Sequence, residues 1–173
     1  AGTGHERDHG YLVANLLSIL RLLLATPLAV LIVAGGWSFG AVAATLFCVA
    51  IATDVADGRL ARMRGTESAL GRVLDHGADF LFVNAGLAAS AATGRLPWLL
   101  PALVAIAFAQ YVVDSYWLHR ARELRMSALG RWNGLACFAA VAVPLVRDPL
   151  GWSWPGAGLV WWLAAGLVAA TLA

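Results

Sequence analysis

Residues 51–80 read IATDVADGRLARMRGTESALGRVLDHGADF. The stretch leaves an apolar run, crosses a short basic connection and enters a second apolar run. Five of the chain's ten acidic residues lie in it, and four of them are aspartates, Asp54, Asp57, Asp75 and Asp79, within 26 positions. Asp54, Asp57, Gly58 and Ala61 follow i, i+3, i+4, i+7 spacing, one face of a helix. Gly71, Asp75 and Asp79 step by four and share a face of the next helix. Two antiparallel helices joined by a short connection can turn these faces toward each other. The expected result is four carboxylates around one small volume, a hard-oxygen ligand set suited to Mg²⁺ or Mn²⁺, with substrate phosphates completing the shell.

Working outward, the composition explains the flanking runs. The 173 residues are 61% hydrophobic and 13% charged, and the mean hydropathy is +0.75. A soluble domain is about 45–50% apolar and about 25% charged. A chain this short keeps much of its surface exposed, so lipid is expected to replace water over most of it. Six apolar segments are read, at roughly 11–34, 38–56, 72–93, 97–118, 127–146 and 154–172. Each is near the ~20 residues a helix needs to cross a membrane. Breaks fall at Gly35-Gly36, at Thr93-Gly94 with Pro97, and at Asp148-Pro149-Leu150-Gly151, all turn chemistry. Period-2 alternation is absent, so helices are expected rather than a β-barrel. The predicted fold is all-α and integral to the membrane, a six-transmembrane-helix bundle. Residues 1–10 form a polar lead and 11–173 a single domain. The first apolar stretch is too long, and too poorly matched to a cleavage site, for a signal peptide.

All 12 basic side chains other than histidine are arginines. Arg7, Arg59, Arg62, Arg64, Arg72, Arg120, Arg122, Arg125 and Arg131 fall on one side of this topology, and Arg95 and Arg147 on the other. The positive-inside rule then puts both termini and both basic connections in the cytoplasm of a multi-pass cell-membrane protein. Trp98, Trp117, Trp152, Trp154, Trp161 and Trp162 lie near segment ends or in the last segment, and most suit an interfacial belt. Cys48 and Cys137 sit in apolar runs with no disulfide or metal spacing. The formal charge of +2 is modest, and no nucleic-acid partner is expected.

An aspartate within the membrane costs a few kcal/mol or more and is functional by default. The pattern Asp54-x-x-Asp57-Gly58-x-x-Ala61-Arg62, then eight residues, then Gly71-x-x-x-Asp75-x-x-x-Asp79 resembles the signature of the CDP-alcohol phosphotransferase family at all eight fixed positions. The resemblance implies transfer of a phosphoalcohol from a CDP-linked lipid to an alcohol, with release of CMP. It implies a homodimer with two metal ions at a site facing the cytoplasm. Asp54, Asp57 and Asp75 would hold metal, and Asp79 would lie near a second ion and serve as general base. Asp57, Gly58, Ala61, Arg62 and Gly71 would surround the CDP group.

The acceptor is sought elsewhere. The run Asn15-Leu-Leu-Ser18-Ile-Leu-Arg21 is similar to the Pro-Asn-x-Leu-Thr-x-x-Arg opening of bacterial phosphatidylglycerophosphate synthases, with Ala14 for the proline and Ser18 for the threonine. Arg21 lies well inside an apolar segment, so it is expected to contact substrate phosphate or a motif aspartate. Ser127-Ala-Leu-Gly130-Arg131-Trp132-Asn133-Gly134 resembles the Ser-x-x-Gly-Lys-x-Lys-Thr stretch of glycerophosphate-using enzymes. Arg131, Asn133 and Gly134 replace two lysines and the threonine. Asn15, Arg21, Arg120, Arg125, Ser127 and Arg131 are the expected acceptor residues, and glycerol 3-phosphate the expected acceptor. Inositol phosphate, serine or phosphatidylglycerol are the alternatives. A divalent-cation transporter is the competing class, although transporter sites tend to lie at the bilayer midplane on broken helices.

Overall fold

The computed structural model describes residues 3–64, 69–113, 128–153 and 156–172. They form six helices and, among the described residues, no strand. These are α1 (Thr3–Ala34), α2 (Trp37–Arg64), α3 (Ala69–Ala92), α4 (Leu99–Val113), α5 (Ala128–Arg147) and α6 (Ala157–Leu172). α1 begins inside the polar lead. α2 runs to Arg64 and takes Arg59 and Arg62 into the helix, so the link to α3 is shorter than the expected basic connection. Ala, Leu, Arg and Met are strong helix formers, and they carry α2 past its apolar part.

The breaks read from the sequence fall where the helices end. α3 closes with Arg95 N–H donating to Ser90 O at 2.9 Å and Gly94 N–H to Ala91 O at 3.0 Å. Gly94 has φ +74°. α5 closes the same way, with Trp152 N–H on Arg147 O, Gly151 N–H on Asp148 O, and Gly151 at φ +64°. This paired 6→1 and 5→2 pattern satisfies carbonyls that the helix end would leave unbonded, and its left-handed residue is best filled by glycine.

α1 packs chiefly on α3 and α2, and α3 also meets α4 and α5, while α6 lies against α4 and α5. The core is built from Leu28 and Ile32 of α1, Phe47 of α2, Phe82 and Leu87 of α3, and Val141 of α5. Phe47 stacks on Phe82 with ring centroids 5.6 Å apart, and Phe80 stacks on Phe108. Gly86 lets α5 approach α3: a Cβ there would stand 2.9 Å from Val141 Cγ1.

The outer faces are apolar as well. Leu23, Val30, Ile106, Leu135 and Trp162 are all exposed. Thr45 and Thr53 return their hydroxyl protons to backbone carbonyls of the preceding turn. A helix apolar on all sides belongs in a large core or a membrane. Among the described residues, one window, Leu17–Ala34, is long and apolar enough by itself to cross a bilayer, with mean hydropathy 2.3. Four shorter apolar helices accompany it, Ser38–Thr53, Leu99–Gln110, Gly134–Arg147 and Gly158–Leu167.

Candidate active site

The site is organised by the α1–α3 contact. Asp75 and Asp79 lie one turn apart on α3, so helical spacing stacks them on one face. Ser18 and Arg21 lie three residues apart on α1, at the start of its apolar window. α1 and α3 run in the same direction, because Arg95, just past the end of α3, donates to Ile32 O near the end of α1.

Arg21 Nη1 donates to Asp79 Oδ1 and, at 3.3 Å, to Asp75 Oδ1. The Ser18 hydroxyl donates to the same Asp75 oxygen at 3.3 Å. The Arg21 side chain is 6% exposed, against 43% for Asp75 and 27% for Asp79. The cation is therefore enclosed, and the carboxylates keep an open side. A buried guanidinium is tolerable only with charge partners that also accept its hydrogen bonds. Asp75 and Asp79 share this guanidinium, and each keeps an exposed side. His76 is half-buried beside Asp75.

Of the two contacts expected for Arg21, substrate phosphate or a motif aspartate, the structure shows the second, with Asp75 and with Asp79. The Ser18 contact was not foreseen, although its spacing three residues before Arg21 on the same helical face was a legible signal. Among the described residues no three His, Cys, Asp or Glu side chains gather into a metal cluster. The side chains of Asn15, Asp54, Asp57, Gly58, Ala61, Arg62, Gly71 and Arg131 lie outside the described part of the structure, as do residues Asp114, His119, Arg120, Arg122, Arg125 and Ser127.

Residues 11–172 match the CDP-alcohol phosphatidyltransferase family. The chain belongs to that family. The family is membrane-associated and in general depends on divalent metal. The chain is similar to the CDP-diacylglycerol–glycerol-3-phosphate 3-phosphatidyltransferase of Cereibacter sphaeroides, with 32% identity over 140 residues, 76% of this chain and 62% of that protein. It is also similar to a probable phosphatidylglycerophosphate synthase of Mycobacterium tuberculosis, with 33% identity over 95 residues, 53% of this chain and 46% of that protein. The match thus spans less than two thirds of the length of either curated relative.

Proposed function

We propose that this chain is a multi-pass membrane phosphatidyltransferase. It transfers the phosphatidyl group of a CDP-linked lipid such as CDP-diacylglycerol to glycerol 3-phosphate and releases CMP. The observation that carries the reading is the Asp75–Asp79 pair on α3, open on one side and backed by the enclosed Arg21, inside the stretch that resembles the family signature and within the residues that match the family. The names of the relatives favour glycerol 3-phosphate over the other acceptors.

Helix register supports a four-carboxylate site. α2 runs antiparallel to α3, and Phe47 stacks on Phe82. Position 54 lies seven residues beyond Phe47, and Asp75 seven residues before Phe82. At 1.5 Å per residue both stand ~10 Å from that contact, in the same direction. Position 54 is therefore level with Asp75, and position 57 lies one turn beyond it.

The residues fit a divalent ion. Asp75 Oδ1 and Asp79 Oδ1 already converge on one cationic nitrogen, and oxygen donors are the chemistry that Mg²⁺ and Mn²⁺ select. Asp54, Asp57, Asp75 and Asp79 would hold two such ions, which supply charge neutralisation to the diphosphate and to departing CMP. Asp57, Gly58, Ala61, Arg62 and Gly71 would hold the CDP group. Asn15, Arg120, Arg125, Ser127 and Arg131 would address the acceptor phosphate, whereas Arg21, expected among them, is enclosed against Asp75 and Asp79.

Asp79 acts as the general base. The acceptor hydroxyl loses its proton to an Asp79 oxygen as its own oxygen attacks the lipid-bearing phosphorus. A new P–O bond forms to the acceptor, and the bond from that phosphorus to the bridging oxygen breaks. CMP leaves with the electron pair. Arg21 orients Asp79 and limits the repulsion between the two α3 carboxylates.

The outward apolar residues of the bundle support six membrane spans. The arginine distribution supports cytoplasmic termini and a cytoplasmic active site in the cell membrane. The family resemblance supports a homodimer. A CMP-release assay on protein in lipid vesicles, with Mg²⁺ and Mn²⁺ and a panel of alcohols, tests the function. Background release with every acceptor would sink it.

A further inference from the structure

The end of the bundle remote from Asp75 and Asp79 holds a second charged cluster. α1, α3 and α5 finish there and α2 begins. Between these ends lies a cavity of about 220 Å³, lined in part by Leu31, Ile32, Ser90, Arg95, Leu145 and Asp148. Ser90 is eleven residues beyond Asp79 on α3, ~16 Å along the axis. The cavity is therefore separate from the reaction site.

Two charged side chains, Arg95 and Asp148, line it. Arg147 grips Asp148 Oδ1 through Nε at 2.8 Å and Nη2 at 2.6 Å. Arg95 reaches the other oxygen, Oδ2, through Nε at 3.3 Å, and Ile32 O through Nη1 at 3.3 Å. Asp148 is held more closely by Arg147 than by Arg95. Arg95 has the longer, weaker contacts and is itself part of the cavity wall. A guanidinium in that position favours an anion with several acceptor oxygens.

The surroundings specify where such an anion would come from. Trp98, three residues past Arg95, and Trp152, in the α5–α6 turn, are both exposed at this end of the bundle. Exposed tryptophans mark the headgroup layer of a bilayer. The cavity wall joins Arg95 and Ser90 to Leu31, Ile32 and Leu145, a polar and an apolar half side by side. We propose that this cavity binds the headgroup phosphate of an anionic phospholipid in the leaflet opposite the active site. Arg95 contacts the phosphate, Asp148 restrains Arg95, and the apolar wall takes the glycerol backbone. The inference rests on the membrane-spanning reading and is independent of the transfer chemistry.

The test is native mass spectrometry of the full chain purified in detergent, counting retained lipid after exposure to phosphatidylglycerol or phosphatidylcholine. Wild type should keep one more phosphatidylglycerol than Arg95→Gln, with no such difference for phosphatidylcholine. Asp148→Asn, which removes the competing carboxylate, should hold that lipid at least as well as wild type. Melting temperatures identify folded variants, and CMP release should be unchanged in Arg95→Gln. Equal phosphatidylglycerol retention by wild type and Arg95→Gln would overturn the proposal. So would protection by inorganic phosphate that depends on Arg95 without any lipid being retained, since the ligand would then be soluble phosphate. Protein recovered from cells without detergent would instead defeat the membrane-spanning reading.

Discussion

Arg21 on α1 and Asp79 on α3, 58 positions apart in sequence, form a direct ion pair with the arginine almost wholly enclosed. Arg21 also reaches Asp75. It therefore occupies, with its own charge, a place where two carboxylates invite a cation. Four expectations follow from this pair, the motif around it and the packing behind it.

Arg21→Gln should weaken the metal-free protein and strengthen its response to metal. Removing one partner of a fully buried pair costs about 3–5 kcal/mol. The aspartates here are partly open, so the cost should be about 1–3 kcal/mol, because water can solvate them. The same change removes a cation that competes for both carboxylates. Thermal melting with and without Mn²⁺ should show a lower baseline and a larger Mn²⁺ shift in the variant. Equal shifts in the two proteins would show that Arg21 and metal do not share these oxygens.

Asp79→Asn should cut CMP release by about 10²–10⁴, the range that a general base contributes. Binding of the CDP-lipid should largely survive. Asp57→Ala should lose metal-dependent donor binding as well as turnover. The pair is read by CMP release alongside a labelled-donor binding assay. Near-normal turnover in Asp79→Asn would remove the base assignment.

Chelation with EDTA should abolish CMP release, and added Mg²⁺ or Mn²⁺ should restore it. Carboxylate sites of this kind favour hard divalent ions. Full activity after exhaustive chelation, checked by elemental analysis of the sample, would rule out the metal role of the aspartates.

Gly86→Ala should destabilise the bundle without touching the chemistry. Its Cβ would stand 2.9 Å from Val141 Cγ1, and overpacking of this kind costs about 1–3 kcal/mol. That outweighs the gain of about 1 kcal/mol from replacing a helical glycine. Val141→Ala in the same chain should recover most of the loss, as a double-mutant cycle would measure. CMP release per folded molecule should stay unchanged. A Gly86→Ala protein as stable as wild type would mean that α5 shifts freely against α3.

Much of the architecture is legible along the chain. Gly94 and Gly151 end their helices where Thr93-Gly94 and Asp148–Gly151 read as turns, because the left-handed closure is a local requirement. The end of α2 was less legible. Arg59, Arg62 and Arg64 read as a connection by charge, yet arginine is a good helix former, and the helix continues through them. At the site, the spacing of Asp75 and Asp79 shows that they share a face. Arg21 is conspicuous as a charge within an apolar run.

Residue order thus decides the helices, their turns, the shared face of Asp75 and Asp79, and the motif that places the chain in its family. These depend on interactions within one or two helical turns, which periodicity and turn chemistry record directly. Packing alone decides that Arg21 and Ser18 settle on those aspartates, that Phe47 stacks on Phe82, and that Arg95 meets Asp148 at the opposite end. Each of these pairings depends on the rotation of a helix about its axis and its stagger against a neighbour. Both are set by side chains such as Phe47, Phe82, Gly86 and Val141, which meet only once the bundle has closed.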